Sequence, residues 1–436
     1  MDKEIKAVIL GAGKGTRMKS ALPKVLHEIF GKSLIGWVID AVSGLPYDTE
    51  CTAIIGYKAE VVEQYLNDNY KYVNTTVQKE QLGTGHAVAQ ALPLLNDYRG
   101  NLIILCGDTP LITTKTLENL IKYHEENNCD LTVMTAVFDD PSGYGRIIRN
   151  YKQEVIKIVE DKDAPESIKE IKEVNTGIYC LNWSKMRKAF NDLKNNNAQG
   201  EYYLTDIVKW ARDNSYKTLG YTISDNREIF GINSRKQLAT AAKMMNEKYM
   251  DELMNKGVTI VDPDSTYISP DTKIGIDTII YPNTYIEGKN EIGLRCKIGP
   301  MAHLRGNCEV GDESKVGNFV ELKNAQLAKN SNVCHLTYIG DAKIGSRVNI
   351  GAGTIFANYN SITKEKKMSN VSDGASIGSN SVIVAPVNIG KDAMVGALSC
   401  ITKDVEANAL AMTRTPQKEY TDWVKNKKSA AENQNN

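Results

Sequence analysis

Residues 292–317 read IGLRCK-IGPMAH-LRGNCE-VGDESK-VG, and the first position of every six-residue unit is aliphatic. The same period runs from Ile268 to Glu406, with Gly often following the aliphatic residue. The register slips near His335 and breaks over a loop after Phe356. Hexapeptide repeats predict a parallel β-helix, in which short strands form flat faces and the aliphatic side chains stack inward. The second half of the chain is therefore expected to be a rod of stacked coils.

The composition sets limits on what the chain does. Its 436 residues suffice for two or three domains, and its 53 basic and 53 acidic side chains balance. The balance gives no reason to expect a nucleic acid or a membrane surface as partner. No apolar run approaches the length of a membrane span, and Met1 leads directly into a strand without a signal peptide. The eight cysteines form no Cys-x-x-Cys pair, so free thiols and a cytoplasmic location are expected.

A Gly-rich loop follows the first predicted strand, which covers residues 6–10. It reads GAGKGTRM over residues 11–18, and Pro23-Lys24 lies just downstream. Such a loop lets backbone N–H groups approach a phosphate chain, while Lys14, Arg17 and Lys24 add positive charge. By itself the loop also fits a plain tight turn between a strand and a helix.

Two further segments carry polar groups at the ends of predicted elements. The run QKEQLGTGHA at 78–87 has the amide and backbone groups that read a pyrimidine base, and its His86 is interpreted as structural. The apolar strand 101–106 ends in Gly107-Asp108. A carboxylate at the end of a central parallel strand can hold Mg²⁺ together with phosphate oxygens. The alternative, a helix N-cap, would need Asp108 closer to the helix expected near Thr114.

Strands and helices alternate up to Leu131, which predicts a doubly wound parallel sheet. After Leu131 the alternation is lost. The stretch from Asn195 to Asp206 is rich in groups that hydrogen-bond sugar hydroxyls. Residues 234–256 read as a helix that leads to the rod.

Four features of the sequence point to one family: the loop at 10–18, Pro23-Lys24, the hexads and Cys334-His335-Leu336-Thr337-Tyr338. They resemble the bifunctional N-acetylglucosamine-1-phosphate uridyltransferase / glucosamine-1-phosphate acetyltransferase family over nearly the whole chain. The resemblance implies an α/β Rossmann-like nucleotidyltransferase domain followed by a left-handed parallel β-helix that forms a homotrimer. It implies a uridyltransferase domain at 1–233, a linker helix at 234–257, an acetyltransferase β-helix at 258–406 and a tail at 407–436.

The resemblance also implies roles for residues of the first domain. UTP or UDP would be bound by Leu10, Gly11, Gly13, Lys24, Gln78, Gly83, Thr84 and Gly107. Lys24 and Arg17 would act on the phosphates, while Asp108 and Asn233 would hold Mg²⁺. The N-acetylglucosamine moiety would be held by Gly145, Glu160, Asn175, Tyr203 and Thr205.

In the rod, the resemblance implies that His335 is the catalytic base for acetyl transfer from acetyl-CoA. Glucosamine 1-phosphate would be bound by Arg305, Lys323, Tyr338, Asn349 and Lys364. Acetyl-CoA would be bound by Ala352, Asn358, Tyr359, Ser379, Ala397 and Arg414.

The chain also departs from the family pattern. It has Arg305-Gly306 where Arg-Pro is usual, and Asn360-Ser361 where Asp-Gly is usual. The rod is expected to lack about two coils between Gly257 and Arg305, and the loop before Ile377 to be longer. One alternative is therefore a uridyltransferase whose rod is only a trimerisation scaffold. Another is a nucleotidyltransferase for a different sugar or base.

Overall fold

The computed structural model describes residues 4–434, which form two compact units that divide between Met245 and Asn246. No helix within residues 4–434 is both long and apolar enough to cross a membrane. All eight cysteines are free thiols, as predicted.

From residue 4 onward, the first unit contains eleven strands and eight α-helices, and a ninth helix begins in it. The strands are β1 (Glu4–Leu10), β2 (Glu28–Ile29), β3 (Lys32–Ser33), β4 (Asp48–Ile55), β5 (Asn74–Val77), β6 (Asn101–Cys106), β7 (Leu131–Val137), β8 (Arg146–Arg149), β9 (Val155–Val159), β10 (Glu173–Asn182) and β11 (Thr218–Thr222). The helices are α1 (Leu34–Ser43), α2 (Ala59–Asn69), α3 (Thr84–Ala89), α4 (Thr114–Glu126), α5 (Glu166–Lys169), α6 (Trp183–Met186), α7 (Ala189–Asp192), α8 (Asp206–Asp213) and α9 (Arg235–Asn255), which runs on into the second unit.

A nine-stranded sheet forms the middle of this unit, with the main order β11-β7-β10-β6-β1-β4-β5. The strands β6, β1, β4 and β5 are parallel, as the alternation of strands and helices predicts. The strand β10 runs antiparallel to both β6 and β7, so the sheet is mixed rather than wholly parallel. This strand comes from the segment after Leu131, where the alternation is lost. Residues 102–105 of β6 are fully buried, as a central strand requires.

The second unit is a parallel β-helix, as predicted, and its strands lie on three faces. Face 1 contains β13 (Tyr267–Ile268), β16 (Tyr285–Glu287), β19 (His303–Arg305), β22 (Glu321–Leu327), β24 (Tyr338–Ile344), β26 (Ile355–Ala357), β29 (Val382–Val384) and β32 (Cys400–Ile401). Face 2 contains β14 (Lys273–Ile274), β17 (Asn290–Ile292), β20 (Cys308–Val310), β27 (Ser369–Val371), β30 (Asn388–Ile389) and the ends of β22 and β24. Face 3 contains β12 (Thr259–Ile260), β15 (Ile279–Ile280), β18 (Lys297–Ile298), β21 (Lys315–Asn318), β23 (Asn332–His335), β25 (Asn349–Ile350), β28 (Ser376–Ile377), β31 (Met394–Val395) and β33 (Leu410–Ala411). The tail carries α10 (Trp423–Gln434).

One coil of the rod holds three hexads. Tyr267 pairs with Tyr285, and Tyr285 with His303, each 18 residues further on. The aliphatic residues that open the hexads are buried inside, and Ile286 and Leu304 are at most 1% exposed. These side chains form one continuous apolar core along the rod, and its burial from water stabilises the stack of coils.

The predicted register slip near His335 is wrong in position. At the corner where the chain turns from face 1 to face 2, two successive coils are each one residue shorter than the hexad period. The pairing shows this, since Glu321 pairs with Tyr338 and Gln326 with Lys343, both 17 residues apart instead of 18. The first short step is 321–326 and the second is 338–343. Counting in steps of six from Leu322 therefore reaches a position one residue after the true inward-facing residue of the next hexad. The sequence period then appears to break at His335, although the hexad that contains His335 is regular. In the next coil, the same corner carries the loop between β26 and β27.

Candidate active sites

The first candidate site lies where the central parallel strands end. Leu10 and Cys106 are paired neighbours at the ends of β1 and β6, so the loops that follow them meet. Gly107 N donates to Leu10 O at 2.9 Å, and Gly11 N donates to Ile54 O at 2.8 Å. Any Cβ at Gly107 would lie 3.1 Å from Leu10 O, which leaves little room for a side chain. The carboxyl edge of an open α/β sheet is where such folds bind ligands.

The predicted phosphate and metal residues meet at this edge. The Lys24 ammonium forms an ion pair with Asp108 and donates to Asn233 Oδ1 at 3.0 Å. Two backbone features hold the cluster: Ile232 N donates to Asp108 O at 3.0 Å, and Gly15 has φ 58 beneath the Lys24 side chain. A Cβ at Gly15 would lie 2.6 Å from Lys24 Cβ, so this position needs glycine.

The oxygens of Asp108 and Asn233 suit a hard divalent cation. They already share one cation, the Lys24 ammonium, so both face the same point. Within residues 4–434, no group of three or more His, Cys, Asp and Glu side chains is arranged to hold a metal. One carboxylate and one amide oxygen, completed by phosphate oxygens and water, are a usual ligand set for Mg²⁺.

The predicted base-reading residues lie together beside β4. Gln78 is 3% exposed, and its Nε2 donates to Gly83 O at 3.0 Å and lies 3.1 Å from His86 Nδ1. Gly83 has φ 114, and a Cβ there would lie 2.6 Å from Tyr202 O. The interpretation of His86 as a structural residue fits this contact with the Gln78 amide.

The predicted sugar residues adjoin the base-reading residues. Thr84 Oγ1 accepts from Leu204 N at 3.1 Å, which ties the two segments together. Thr205 Oγ1 donates to Glu160 Oε1 at 3.0 Å. Asn175 N donates to Gly145 O at 2.8 Å, and Gly145 lies against the Glu160 carboxyl. Tyr203 is buried and its hydroxyl accepts from Gln199 Nε2 at 2.8 Å.

Burial raises the pKa of the Glu160 carboxyl above its ordinary value. The Thr205 hydroxyl acts in the opposite direction, and the nearby Asp163 and Asp206 carboxylates raise the pKa further. A carboxylate held in this way gains more from hydrogen bonds offered by sugar hydroxyls than an exposed one would.

Two residues of the predicted phosphate-binding loop do not join the cluster of Lys24, Asp108 and Asn233. Gly13 and Arg17 are exposed in the segment that follows β1. A Cβ at Gly13 would meet no atom within 4 Å, so packing does not explain glycine there.

The second candidate site lies on the rod, around His335. This residue ends β23 and is paired with Asn318, the last residue of β21. His335 Nδ1 lies 2.8 Å from Asn318 Oδ1. Because an amide oxygen only accepts, Nδ1 carries the proton in this contact and Nε2 is left with a lone pair. Nε2 is therefore the ring nitrogen that is available to accept a hydrogen bond or a proton.

Four of the predicted acetyl-CoA and catalytic positions form one row along the corner between face 3 and face 1. Each is joined to the next coil by a hydrogen bond: Gly353 N to His335 O, Asn380 N to Ala352 O, and Leu398 N to Ser379 O. Arg414 Nη1 completes the row by donating to Ala397 O at 3.1 Å. With strands about 4.8 Å apart, the row from His335 to Ala397 is about 14 Å long.

Predicted sugar-phosphate residues meet at the corner between face 1 and face 2. Lys323 is paired with Gly340, and a Cβ at Gly340 would collide with the Tyr338 hydroxyl and with Asn358 Nδ2. Arg305 Nη1 donates to Glu321 Oε1 at 2.8 Å on the neighbouring strand. Gly306 has φ 66, a conformation closed to proline, which accounts for Gly in place of the family's Pro.

The structure does not bring every predicted residue to this corner. Asn349 lies on face 3, paired with Asn332 and Ser376. Tyr359 and Lys364 lie in the loop after β26, where both are exposed and Tyr359 bridges Lys366.

The comparisons with known proteins agree with both halves of the chain. Residues 6–228 match the nucleotidyl transferase family. The bifunctional protein GlmU of Brevibacillus brevis is 42% identical over 454 residues, which cover 97% of both chains. Its namesakes from Thermosipho africanus and Bacillus subtilis are 44% and 42% identical, each over 98% of this chain and 99% of the relative. The chain belongs to the bifunctional GlmU family.

As a GlmU family member, the chain is a bifunctional enzyme with a nucleotidyl transferase unit that acts on small molecules. Nucleotidyl transferases of this kind use a divalent metal, which agrees with the Asp108 and Asn233 oxygens. Two residues beside the matched positions went unnoticed in the sequence. Asn318 contacts His335, and Asp341 contacts Asn358. Both contacts span 17 residues, which a period of six does not suggest.

Proposed function

We propose that this chain makes UDP-N-acetylglucosamine in two steps, acetyl transfer on the rod and uridyl transfer in the first unit. The observation that carries the proposal is the presence of two separate clusters, each built around residues that match the family. One is Lys24 with Asp108 and Asn233, and the other is His335 with Asn318. The first suits phosphate chemistry, and the second suits proton transfer.

In acetyl transfer, the amine of glucosamine 1-phosphate attacks the thioester carbonyl carbon of acetyl-CoA. His335 Nε2 accepts a proton from the attacking nitrogen, a C–N bond forms and the C–S bond breaks. The sulfur leaves as CoA thiol once it regains a proton. The row formed by Ala352, Ser379 and Ala397 suits an extended acyl carrier whose thioester end lies at His335.

In uridyl transfer, a phosphate oxygen of N-acetylglucosamine 1-phosphate attacks the α-phosphorus of UTP, and pyrophosphate leaves. The attacking oxygen is already ionised, so a strong general base is not required. Lys24 and Arg17 neutralise phosphate charge, and Mg²⁺ held by Asp108 and Asn233 would supply further neutralisation. Gln78 and Gly83 read the uracil, while Glu160, Asn175 and Thr205 hold the sugar.

The altered loop argues against the alternative in which the rod is only a scaffold. Asn360, which replaces the family's Asp, accepts from Ile362 N at 2.9 Å and from Thr363 N at 3.2 Å through its Oδ1. An amide oxygen thus performs the turn-capping role that a carboxylate can perform. The proposed acetyl site keeps His335, Lys323 and Arg305.

The remaining expectations belong to the same proposal. The β-helix is left-handed and the enzyme is a homotrimer assembled through it. The enzyme works in the cytoplasm, with Mg²⁺, and binds neither nucleic acid nor a membrane. Uncharged apolar corner residues such as Phe319 and Leu398, which are 55% and 64% exposed in the single chain, are consistent with an assembled rod.

One assay tests the acetyl step directly. The protein is mixed with glucosamine 1-phosphate and acetyl-CoA, and free thiol is measured over time. We expect release that depends on both substrates and disappears in His335→Ala. Release no greater than in His335→Ala would leave the uridyltransferase-only alternative. Pyrophosphate release from UTP, dTTP and GTP with a panel of sugar 1-phosphates tests the uridyl step, and a preference for another sugar or base would refute it.

A further inference from the structure

The short corner between face 1 and face 2 contains a carboxylate that the proposed two-step reaction does not use. Asp341 accepts from Asn324 Nδ2 and from Asn358 Nδ2, one amide on each carboxylate oxygen and both at 2.5 Å. The three residues stack in successive coils at the corner where the short steps occur. Asn324 and Asp341 both adopt φ 48, a conformation that Asn and Asp tolerate better than most residues.

An ionised carboxylate only accepts hydrogen bonds, so it fixes which way a neighbouring amide faces. Asn358 must turn its nitrogen toward Asp341, and its Oδ1 must face the other way. Asn358 is 7% exposed. Among the described residues, its Oδ1 is not a fully buried oxygen that lacks a hydrogen-bond partner. Asp341 therefore presents the Asn358 oxygen outward as a hydrogen-bond acceptor.

The Asn358 amide lies beside the proposed sugar-phosphate residues. Its Nδ2 and the Tyr338 hydroxyl both lie over Gly340, where a Cβ would collide with them, and Lys323 is paired with Gly340. The proposed acceptor sugar differs from other hexose phosphates in its C2 amine, whose N–H groups need an acceptor. The acceptor that the corner offers is Asn358 Oδ1.

We propose that Asp341 is a positioning residue of the acetyl site, which orients Asn358 so that its Oδ1 accepts an N–H of the amino-sugar phosphate. The inference rests on the proposed acetyl transfer and adds the group that selects the amine. The carboxylate itself does not touch the substrate. Replacing the Asp341 carboxylate by a group that can also donate hydrogen bonds should therefore weaken binding of the amine without changing binding of the phosphate.

The test is Asp341→Asn, which keeps the shape and tolerates φ 48 but leaves the Asn358 amide free to face either way. We expect the KM for glucosamine 1-phosphate to rise about tenfold. The KM for acetyl-CoA and the inhibition constant of 2-deoxyglucose 1-phosphate, which has no donor at C2, should stay within about twofold. Asp392→Asn is the matched control, because Asp392 is another corner aspartate with a left-handed φ of 55.

A swap gives a second, independent readout. In Asp341→Asn with Asn358→Asp, the new carboxylate accepts from the new amide and still presents an oxygen outward. We expect this double variant to recover at least part of the KM lost in Asp341→Asn. An unchanged far-ultraviolet circular dichroism spectrum and an unchanged KM for acetyl-CoA report that the rod of each variant is folded.

Three results would overturn the inference. An unchanged KM in Asp341→Asn would show that the carboxylate is not needed. An equal rise in KM and in the 2-deoxyglucose 1-phosphate constant would show a general structural role. A wild-type enzyme without thiol release would remove the proposed acetyl transfer and this inference with it, whereas the first two results leave acetyl transfer intact.

Discussion

His335 donates its Nδ1–H to Asn318 Oδ1 at 2.8 Å, across two paired strands of the rod. The contact leaves Nε2 as the nitrogen that can take a proton. A histidine without such a partner exchanges between two tautomers, and in one of them Nε2 carries the proton. The Asn318 amide thus keeps the imidazole in the form that the proposed acetyl transfer requires.

The first prediction concerns this amide. Asn318→Leu removes the acceptor, so the imidazole loses both its orientation and its preferred tautomer. We expect kcat for thiol release to fall about 10- to 100-fold, with a smaller change in the KM for glucosamine 1-phosphate. Asn318→Asp retains an acceptor and is the control, for which a loss of less than about fivefold is expected. Equal losses in both variants would contradict the tautomer argument.

The second prediction separates the two proposed sites. Asp108→Ala removes the carboxylate that pairs with Lys24 and would hold the metal. We expect pyrophosphate release to fall about 1000-fold while thiol release stays within about twofold of wild type. The reciprocal control is His335→Ala, which should lose thiol release alone. Loss of both activities in either variant would count against two independent sites.

The sequence predicts the rod because every coil repeats one physical requirement. Leu304 and Val316 open their hexads and are buried, since each inward position must be apolar to stack on its neighbours. The strands β1 and β6 and the Gly-rich loop were likewise predictable from apolar runs and from Gly15, where only glycine fits. The antiparallel β10 was not, because a strand's direction depends on the sheet that receives it.

The supporting residues of the proposed acetyl site could not be predicted, because they depend on the length of a coil. A hexad period makes residues 18 apart neighbours, but Asn318 contacts His335 and Asp341 contacts Asn358 across 17 residues. One missing residue at each short corner decides these partners. The interruptions lie in the part of the rod that holds the proposed acetyl site, although His335 itself stands in a regular hexad.

The third prediction follows from the raised pKa of Glu160. The carboxyl ordinarily has a pKa of 4.5, and burial raises it in the folded unit. Such a group contributes stability below pH 4.5 that is lost as the pH rises through the folded pKa. Glu160→Gln keeps an acceptor for Thr205 and carries no charge. We expect it to unfold at a higher temperature than wild type at pH 7 and at nearly the same temperature at pH 4.

Glu160→Gln should also weaken sugar binding, because an amide oxygen accepts less strongly from hydroxyl groups than a carboxylate does. Differential scanning calorimetry measures the first effect, and the KM for N-acetylglucosamine 1-phosphate measures the second. Glu170→Gln, at an exposed position, is the control and should change neither. A destabilised Glu160→Gln at pH 7 would show that the carboxylate is well compensated by its surroundings.

The fourth prediction tests whether the short corners position the acetyl site. His303 and Glu309 stand six residues apart, whereas Glu321 and Gln326, their paired neighbours in the next coil, stand five apart. One Gly inserted after Asn324 would restore a step of six and let that corner bulge outward. The rod should survive, because earlier coils turn the same corner with six residues.

Acetyl transfer should not survive the insertion. The added residue would displace the corner on which Asn324 meets Asp341, next to Lys323, and a shift of about 1 Å at such a site can cost about 100-fold in rate. We expect thiol release to fall at least about 100-fold, with pyrophosphate release and the far-ultraviolet circular dichroism spectrum unchanged. Full acetyl transfer in the insertion variant would mean that the five-residue steps are only a packing variant of the rod. In that case, the short corners and the matched sugar-phosphate residues would lie at the same place for no functional reason.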